Sequence, residues 1–227
     1  MKIGILQTGH APDALLDQHG DYDVLFQNLL GGRGFTFRTW NVVDMEFPDS
    51  VSDADGWLVT GSRHGAYEDH PFISPLEGLI RDIYAADVPM VGVCFGHQII
   101  AQALGGKVEK FKGGWAVGRQ TYDWQGRTIN LNAWHQDQVV MRPMGSDAIA
   151  TNDFCSNAAL IYDRRIFTVQ PHPEFDNAFI GDLAEARGKG VVPDAQLSEV
   201  HATLDQPNHN AELADLMARF FKERSLE

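Results

Sequence analysis

Residues Met90-Val91-Gly92-Val93 form an apolar run that reaches a single cysteine, Cys94, and Phe95 to Leu104 then continue with helical character up to Gly105-Gly106. A buried strand that passes into a helix with no loop between them needs a sharp turn at the residue in the middle. Glycines stand two positions away on each side, Gly92 and Gly96. Side chains there would collide with neighbouring backbone, so the pattern is that of a strand–elbow–helix unit. A short, wholly apolar strand of this kind belongs inside a parallel sheet covered on both faces.

The rest of the first half repeats the alternation. Ile3-Gly4-Ile5-Leu6 reads as a buried strand, and residues 21–30 place Val24, Leu25, Phe26, Leu29 and Leu30 at helical spacing before Gly31-Gly32-Arg33-Gly34. Residues 35–40 and 56–60 read as strands. Residues 75–87 read as an amphipathic helix with Leu76, Leu79, Ile80, Ile83 and Tyr84 on one face. Ser74 is its expected N-cap, Pro75 its first helical residue and Glu77 the partner in a capping box, with Pro89 beyond its end. From about residue 115 the texture changes to short strand candidates with turn-rich connections, at 117–124, 127–131, 139–141, 148–151, 158–162 and 166–169, as antiparallel ribbons require. Helical pattern returns at 175–187 and 209–222. At 227 residues, with no internal repeat, low-complexity tract or linker, the chain is expected to form one domain, residues 1–227, with a helical extension from about 176 to 227. The fold class expected is α/β, a Rossmann- or flavodoxin-like three-layer sandwich with a central, mainly parallel sheet and an additional antiparallel ribbon.

Charge narrows the partners. Eighteen Lys and Arg against 31 Asp and Glu leave 18 − 31 = −13 at pH 7, and no basic run interrupts the acidic balance, so no nucleic-acid partner is expected. No apolar run is long enough to span a bilayer, so no membrane partner is expected either, and the N-terminus turns polar too early for a signal peptide. Two cysteines do not make a disulfide scaffold, and the expected compartment is the cytoplasm. The nine histidines show no His-Glu-x-x-His and the cysteines no Cys-x-x-Cys, so no metal is expected. Neither a phosphate-binding loop nor a dinucleotide fingerprint occurs, and no cofactor is expected: Gly106-Lys107 is followed by Val108, with Ala101 where the upstream glycine would stand.

Cys94 sits where an elbow lifts a side chain clear of the sheet, at the positive end of a helix dipole that favours a thiolate. Taken alone, it reads equally as a buried structural cysteine beside a tight turn, which is the reading given to Cys155. The second segment is Gln170-Pro171-His172-Pro173-Glu174. Prolines push the residues before them toward extended geometry, and alternate residues of an extended segment share a face, so His172 and Glu174 point the same way. A chance His-x-Glu in a surface loop is the alternative. Paired with a cysteine elbow, the segment supplies an imidazole base and a carboxylate to orient it.

These two segments resemble those of the class I glutamine amidotransferase family, and so do Val59-Thr60-Gly61-Ser62, Ala103 to Val108 and Trp134-His135-Gln136-Asp137-Gln138-Val139. The closest likeness is to stand-alone members related to the glutaminase domain of GMP synthase and to γ-glutamyl peptidases. The resemblance implies that Cys94 attacks the γ-carbonyl of a glutamine-like substrate to form a γ-glutamyl thioester, that His172 moves the protons and that Glu174 orients His172. It implies an oxyanion hole from the backbone N–H groups of Gly61 and Phe95, and substrate contacts from Gln98, His135 and Asp137. Where many relatives read Gly-Gly-Pro this chain reads Gly61-Ser62-Arg63. Arg63, His64, Tyr67 and Trp115 are the candidates for contacts beyond the γ-carbonyl. Three functions stay open: hydrolysis of glutamine or a γ-glutamyl amide or peptide, delivery of ammonia to a separate synthetase partner, and ligand binding without catalysis.

Overall fold

The computed structural model describes residues 1–226. Seven strands form the main sheet: β1 (Lys2–Leu6), β2 (Thr36–Trp40), β3 (Gly56–Val59), β4 (Met90–Val93), β9 (Ser146–Ala150), β10 (Ala159–Tyr162) and β11 (Ile166–Val169). Their spatial order is β2-β1-β3-β4-β11-β10-β9. The five from β2 to β11 run parallel, and β10 and β9 extend the sheet antiparallel. Two further ribbons stand apart, β5 (Lys107–Lys110) with β8 (Asp137–Met141) and β6 (Ala116–Trp124) with β7 (Arg127–His135).

Alternation along the central strands assigns the two faces. Ile3, Ile5, Leu58, Val91, Val93 and Phe167 turn to one side, where Phe26 of α2 (Tyr22–Leu29) and Leu213, Met217 and Phe220 of α7 (Asn210–Glu223) cover them. Leu6, Trp57, Val59, Met90 and Ile166 turn to the other, under Leu76, Ile80 and Ile83 of α3 (Ile73–Ala85) and Ile99 and Ile100 of α4 (Phe95–Ala103). Burial on both faces explains why β3, β4 and β11 are four-residue strands without an exposed position. A third cluster joins α1 (Asp13–His19), α5 (Asn177–Arg187) and α6 (Asp194–Ala202) beside the ribbon β6–β7. Among the described residues no helix is long and apolar enough to cross a membrane.

Two sequence expectations change. The run 148–169 is not a separate ribbon: β9, β10 and β11 complete the main sheet, and β11 lies parallel to β4 with Val169 opposite Val93. The cap expected at Ser74 is absent as well. A tight turn in which Ile73 N–H donates to the His70 carbonyl starts α3 two residues earlier, with Phe72 before it and no side-chain cap. Ser74 and Pro75 fall in the first turn, where a missing proline N–H leaves nothing unpaired. Glu77, freed from capping, accepts from Gln102 Nε2 at 2.8 Å.

Candidate active site

The elbow is formed as the glycine spacing requires. Cys94 has φ 52° and ψ −103°, in a region that favours glycine, and the surrounding backbone fixes it there. Its N–H donates to the Val169 carbonyl at 2.9 Å, and its carbonyl accepts from Gln98 N–H at 3.0 Å. A Cβ on Gly96 would stand 2.2 Å from the Val59 carbonyl oxygen, and one on Gly92 2.7 Å from the Gly96 carbonyl. Gly96→Ala is therefore expected to lower stability by roughly 3 kcal/mol, the upper part of the range for overpacking, measured as a shift of the urea midpoint.

His172 reaches the same place from the end of β11. Its N–H donates to the Asn132 carbonyl of β7 at 2.8 Å, an isolated bridge to the ribbon, after which Pro173 and Glu174 form a turn instead of the extended segment expected. Its ring stacks on Phe175 with centroids 3.9 Å apart and planes 2° from parallel. Nδ1 lies 2.7 Å from Glu174 Oε1, and both side chains are almost wholly buried. The ring and Cys94 line the same cavity, and Cys94 is among the groups that act on the imidazole. Burial acts to depress the imidazole, but the Glu174 carboxylate and Cys94 outweigh it and raise the His172 pKa to about 10. Because the folded value lies above the ordinary one of 6.5, the stabilisation is full below about pH 6.5 and is lost as pH rises toward 10. Thermal unfolding should show melting temperature falling between pH 7 and 10, and Glu174→Gln should flatten that fall. A fall of equal size in the variant would remove His172 as its source.

Gly61, at the end of β3, faces both groups. A Cβ on it would lie 2.9 Å from His172 Cε1 and 3.8 Å from Cys94 Cβ, so only glycine lets the strand end approach so closely. Thr8, beyond β1, holds this segment: its hydroxyl is 3.0 Å from the carbonyl oxygens of both Thr60 and Gly61. The Thr60 carbonyl also accepts from Gly96 N–H at 3.0 Å. Phe95 is the first residue of α4, so its N–H has no acceptor within the helix.

Gln98, His135 and Asp137 meet at one point. The Asp137 carbonyl accepts from Gln98 Nε2 at 2.9 Å and lies 3.1 Å from His135 Nδ1. Gln98 Nε2 donates as well to Gln170 Oε1 at 3.1 Å, which leaves Gln98 Oε1 as its outward atom. Burial and the charge of His172 hold His135 neutral, with its pKa lowered to about 4, although its bond to the Asp137 carbonyl acts the other way. The Asp137 carboxyl is raised by burial and accepts from the Tyr67 hydroxyl at 3.2 Å. His97, three residues from Cys94, turns to Thr168 Oγ1 at 2.8 Å. Cys155 is buried among core residues and its thiol is pushed up to about 12 by that burial.

A cavity of about 400 Å³ joins Cys94, His172, Gln98, His135 and Asp137, and Arg63, His64, Tyr67 and Trp115 line it as well. Beside Phe175, the residue after Glu174 in the second motif segment, its wall holds Tyr22, Leu183, Arg187 and Val191, which sequence reading missed. No local motif marks them; their positions depend on how α2 and α5 pack. It also missed His64, Glu68 and His70 as a cluster whose ligating atoms lie within 4.8 Å of one another and could hold a metal ion. Chemically, the cavity offers a thiol on an elbow, an imidazole with its tautomer fixed by a carboxylate, and backbone N–H groups nearby. That is what nucleophilic acyl transfer requires.

A family model described as glutamine amidotransferase class-I matches residues 31–181. The chain belongs to this family. Among relatives of this class I amidotransferase, γ-glutamyl peptidase 4 of Arabidopsis thaliana is 28% identical to it, covering 74% of this chain and 73% of the relative. A subunit of the glutamine-hydrolyzing GMP synthase of Halobacterium salinarum is 33% identical, covering 70% and 87%. The crystal structure of a glutamine amidotransferase from Methylobacillus flagellatus has the same mainly parallel, flavodoxin-like fold, with TM-score 0.76 at 22% identity over 99% of this chain and 92% of that one. Leu183, Arg187 and Val191 lie beyond the span of the family model.

Proposed function

We propose that this class I amidotransferase hydrolyses the γ-carboxamide of glutamine or of a γ-glutamyl amide or peptide through a γ-glutamyl thioester on Cys94. The observation that carries the reading is His172 bonded through Nδ1 to the Glu174 carboxylate at 2.7 Å while its ring shares one cavity with Cys94. Cys94 Sγ attacks the γ-carbonyl carbon, and the oxygen that gains charge is taken up by the N–H groups of Gly61 and Phe95. His172, protonated at neutral pH, gives its Nε2 proton to the leaving nitrogen as the C–N bond breaks. Water then enters; His172 takes its proton, the C–S bond breaks, and glutamate leaves. Glu174 fixes the imidazole tautomer throughout. Gln98, His135 and Asp137 are assigned to the glutamyl end of the substrate.

The likeness to the GMP synthase chain of Halobacterium salinarum supports a second reading, a glutaminase that passes ammonia to a separate synthetase. Glutamate release by the purified chain, with L-glutamine and a set of γ-glutamyl amides and peptides, separates the two. Turnover of a γ-glutamyl compound by the chain alone supports the hydrolase. Silence, with Cys94 still alkylated by a glutamine-like electrophile, supports the partnered glutaminase. Silence without alkylation overturns both and leaves a ligand-binding protein.

A further inference from the structure

Arg63, His64 and Arg187 line two cavities at once. One is the cavity of Cys94; the other, about 350 Å³, lies against the segment Gly9 to Asp13 that follows β1. Gln98, His135 and Asp137 line only the first. A substrate with its γ-carbonyl at Cys94 and its glutamyl end at Asp137 therefore has the second cavity free for whatever its γ-nitrogen carries. Ammonia as a leaving group has no use for this space.

The charge of the shared wall names the group that fits it. Five of the twelve arginines, Arg33, Arg81, Arg127, Arg165 and Arg224, pair with carboxylates of the described residues. Arg63 and Arg187 are among the seven that do not, and of those seven these are the two that line the cavities. Among the described residues no ion pair reaches Arg63 or Arg187. The acidic groups on the two cavities are otherwise placed: Glu68 is bonded to His70, Asp137 to Tyr67, and Asp13 stands on the first turn of α1. Arg187 lines the first cavity together with Tyr22, Cys94 and His172, which sets it on the wall around the reacting centre. Arg187 is half-buried and Arg63 exposed, so the pair spans the wall from its inner part to its rim. A guanidinium outside any ion pair, on the wall of a reactive cavity, presents two parallel N–H donors suited to a carboxylate.

We infer that Arg63 and Arg187 form a subsite for a carboxylate on the leaving amine, so that the substrates are γ-glutamyl amino acids and peptides with a free C-terminal carboxyl. The inference rests on the hydrolase reading and narrows it. It is tested by titrating the Cys94→Ala protein calorimetrically with γ-glutamylglycine and with γ-glutamylglycinamide, which differ only in that carboxylate. The acid should bind roughly tenfold or more tightly than the amide, as expected for charge-assisted hydrogen bonds. Arg63→Met or Arg187→Met should reduce the ratio, both together should bring it to about one, and Arg187→Lys should keep part of it. Unchanged melting temperatures show that the variants fold.

Equal affinity for acid and amide overturns the subsite, and so does a preference that survives the double substitution. An equal loss for γ-glutamylglycine and L-glutamine would assign the arginines to the glutamyl end instead. Because binding is read without turnover, an acid preference in a protein that hydrolyses nothing would leave the subsite standing and remove the hydrolase. Turnover without the preference would do the reverse.

Discussion

Cys94→Ala is expected to lower glutamate release by on the order of 10⁴-fold or more while the protein unfolds at nearly the wild-type temperature. The sulfur is the proposed nucleophile, and an alanine methyl cannot form the thioester, so the loss falls on kcat rather than on substrate affinity. The backbone that positions it makes its hydrogen bonds to Val169 and Gln98 through main-chain atoms, which the substitution leaves alone. Alanine meets the same positive φ that cysteine already tolerates. Activity and thermal unfolding measured on one preparation check both expectations. A folded variant that still releases glutamate would remove Cys94 from the chemistry.

His172→Ala should be nearly as damaging, and Glu174→Gln less so by roughly ten- to a hundredfold, because an orienting group is worth less than the group that carries the proton. The geometry gives this order a physical basis. Glu174 meets His172 through Oε1, which a glutamine carbonyl oxygen can replace as an acceptor from Nδ1, while the negative charge that raises the imidazole is lost. The pH–rate profile of Glu174→Gln should therefore move to lower pH on its His172 limb. An unshifted profile, or a larger loss from Glu174→Gln than from His172→Ala, would exchange the two roles.

Much of this is legible in the chain. The elbow shows itself because two close backbone approaches exclude side chains, and glycine is a visible mark of that exclusion at 92 and 96. The nearness of His172 and Glu174 is expected from an extended segment, whereas only His172 is bridged to β7 and the chain then turns, Phe175 N–H donating to the His172 carbonyl at 3.3 Å. A turn, and not strand alternation, brings the carboxylate to the ring. Their meeting with Cys94 is not local: it depends on β11 pairing with β4, whereas its short turns alone read as ribbon. Thr8 carries no motif at all, yet it holds the Gly61 segment. α6 is invisible in the sequence because Val200 is its one buried residue, so it lacks an apolar stripe. The cap at Ser74 fails for the opposite reason. A sound local signal is overridden by the turn at His70, which fixes where the helix begins.

The wall formed by Leu183, Arg187 and Val191 has a bearing on how such a chain can diversify. The cysteine and histidine sit at the ends of sheet strands whose sequence is confined by burial on both faces, whereas this wall comes from a helix end and the loop after it. Leu183 packs in the core beside Phe175, whereas half-buried Arg187 and exposed Val191 answer to fewer neighbours. A substitution there alters the size and charge that an incoming molecule meets and leaves the geometry around the sulfur untouched. Reactivity and admission are thus written in different stretches of the polypeptide, and the second can be revised without reopening the first.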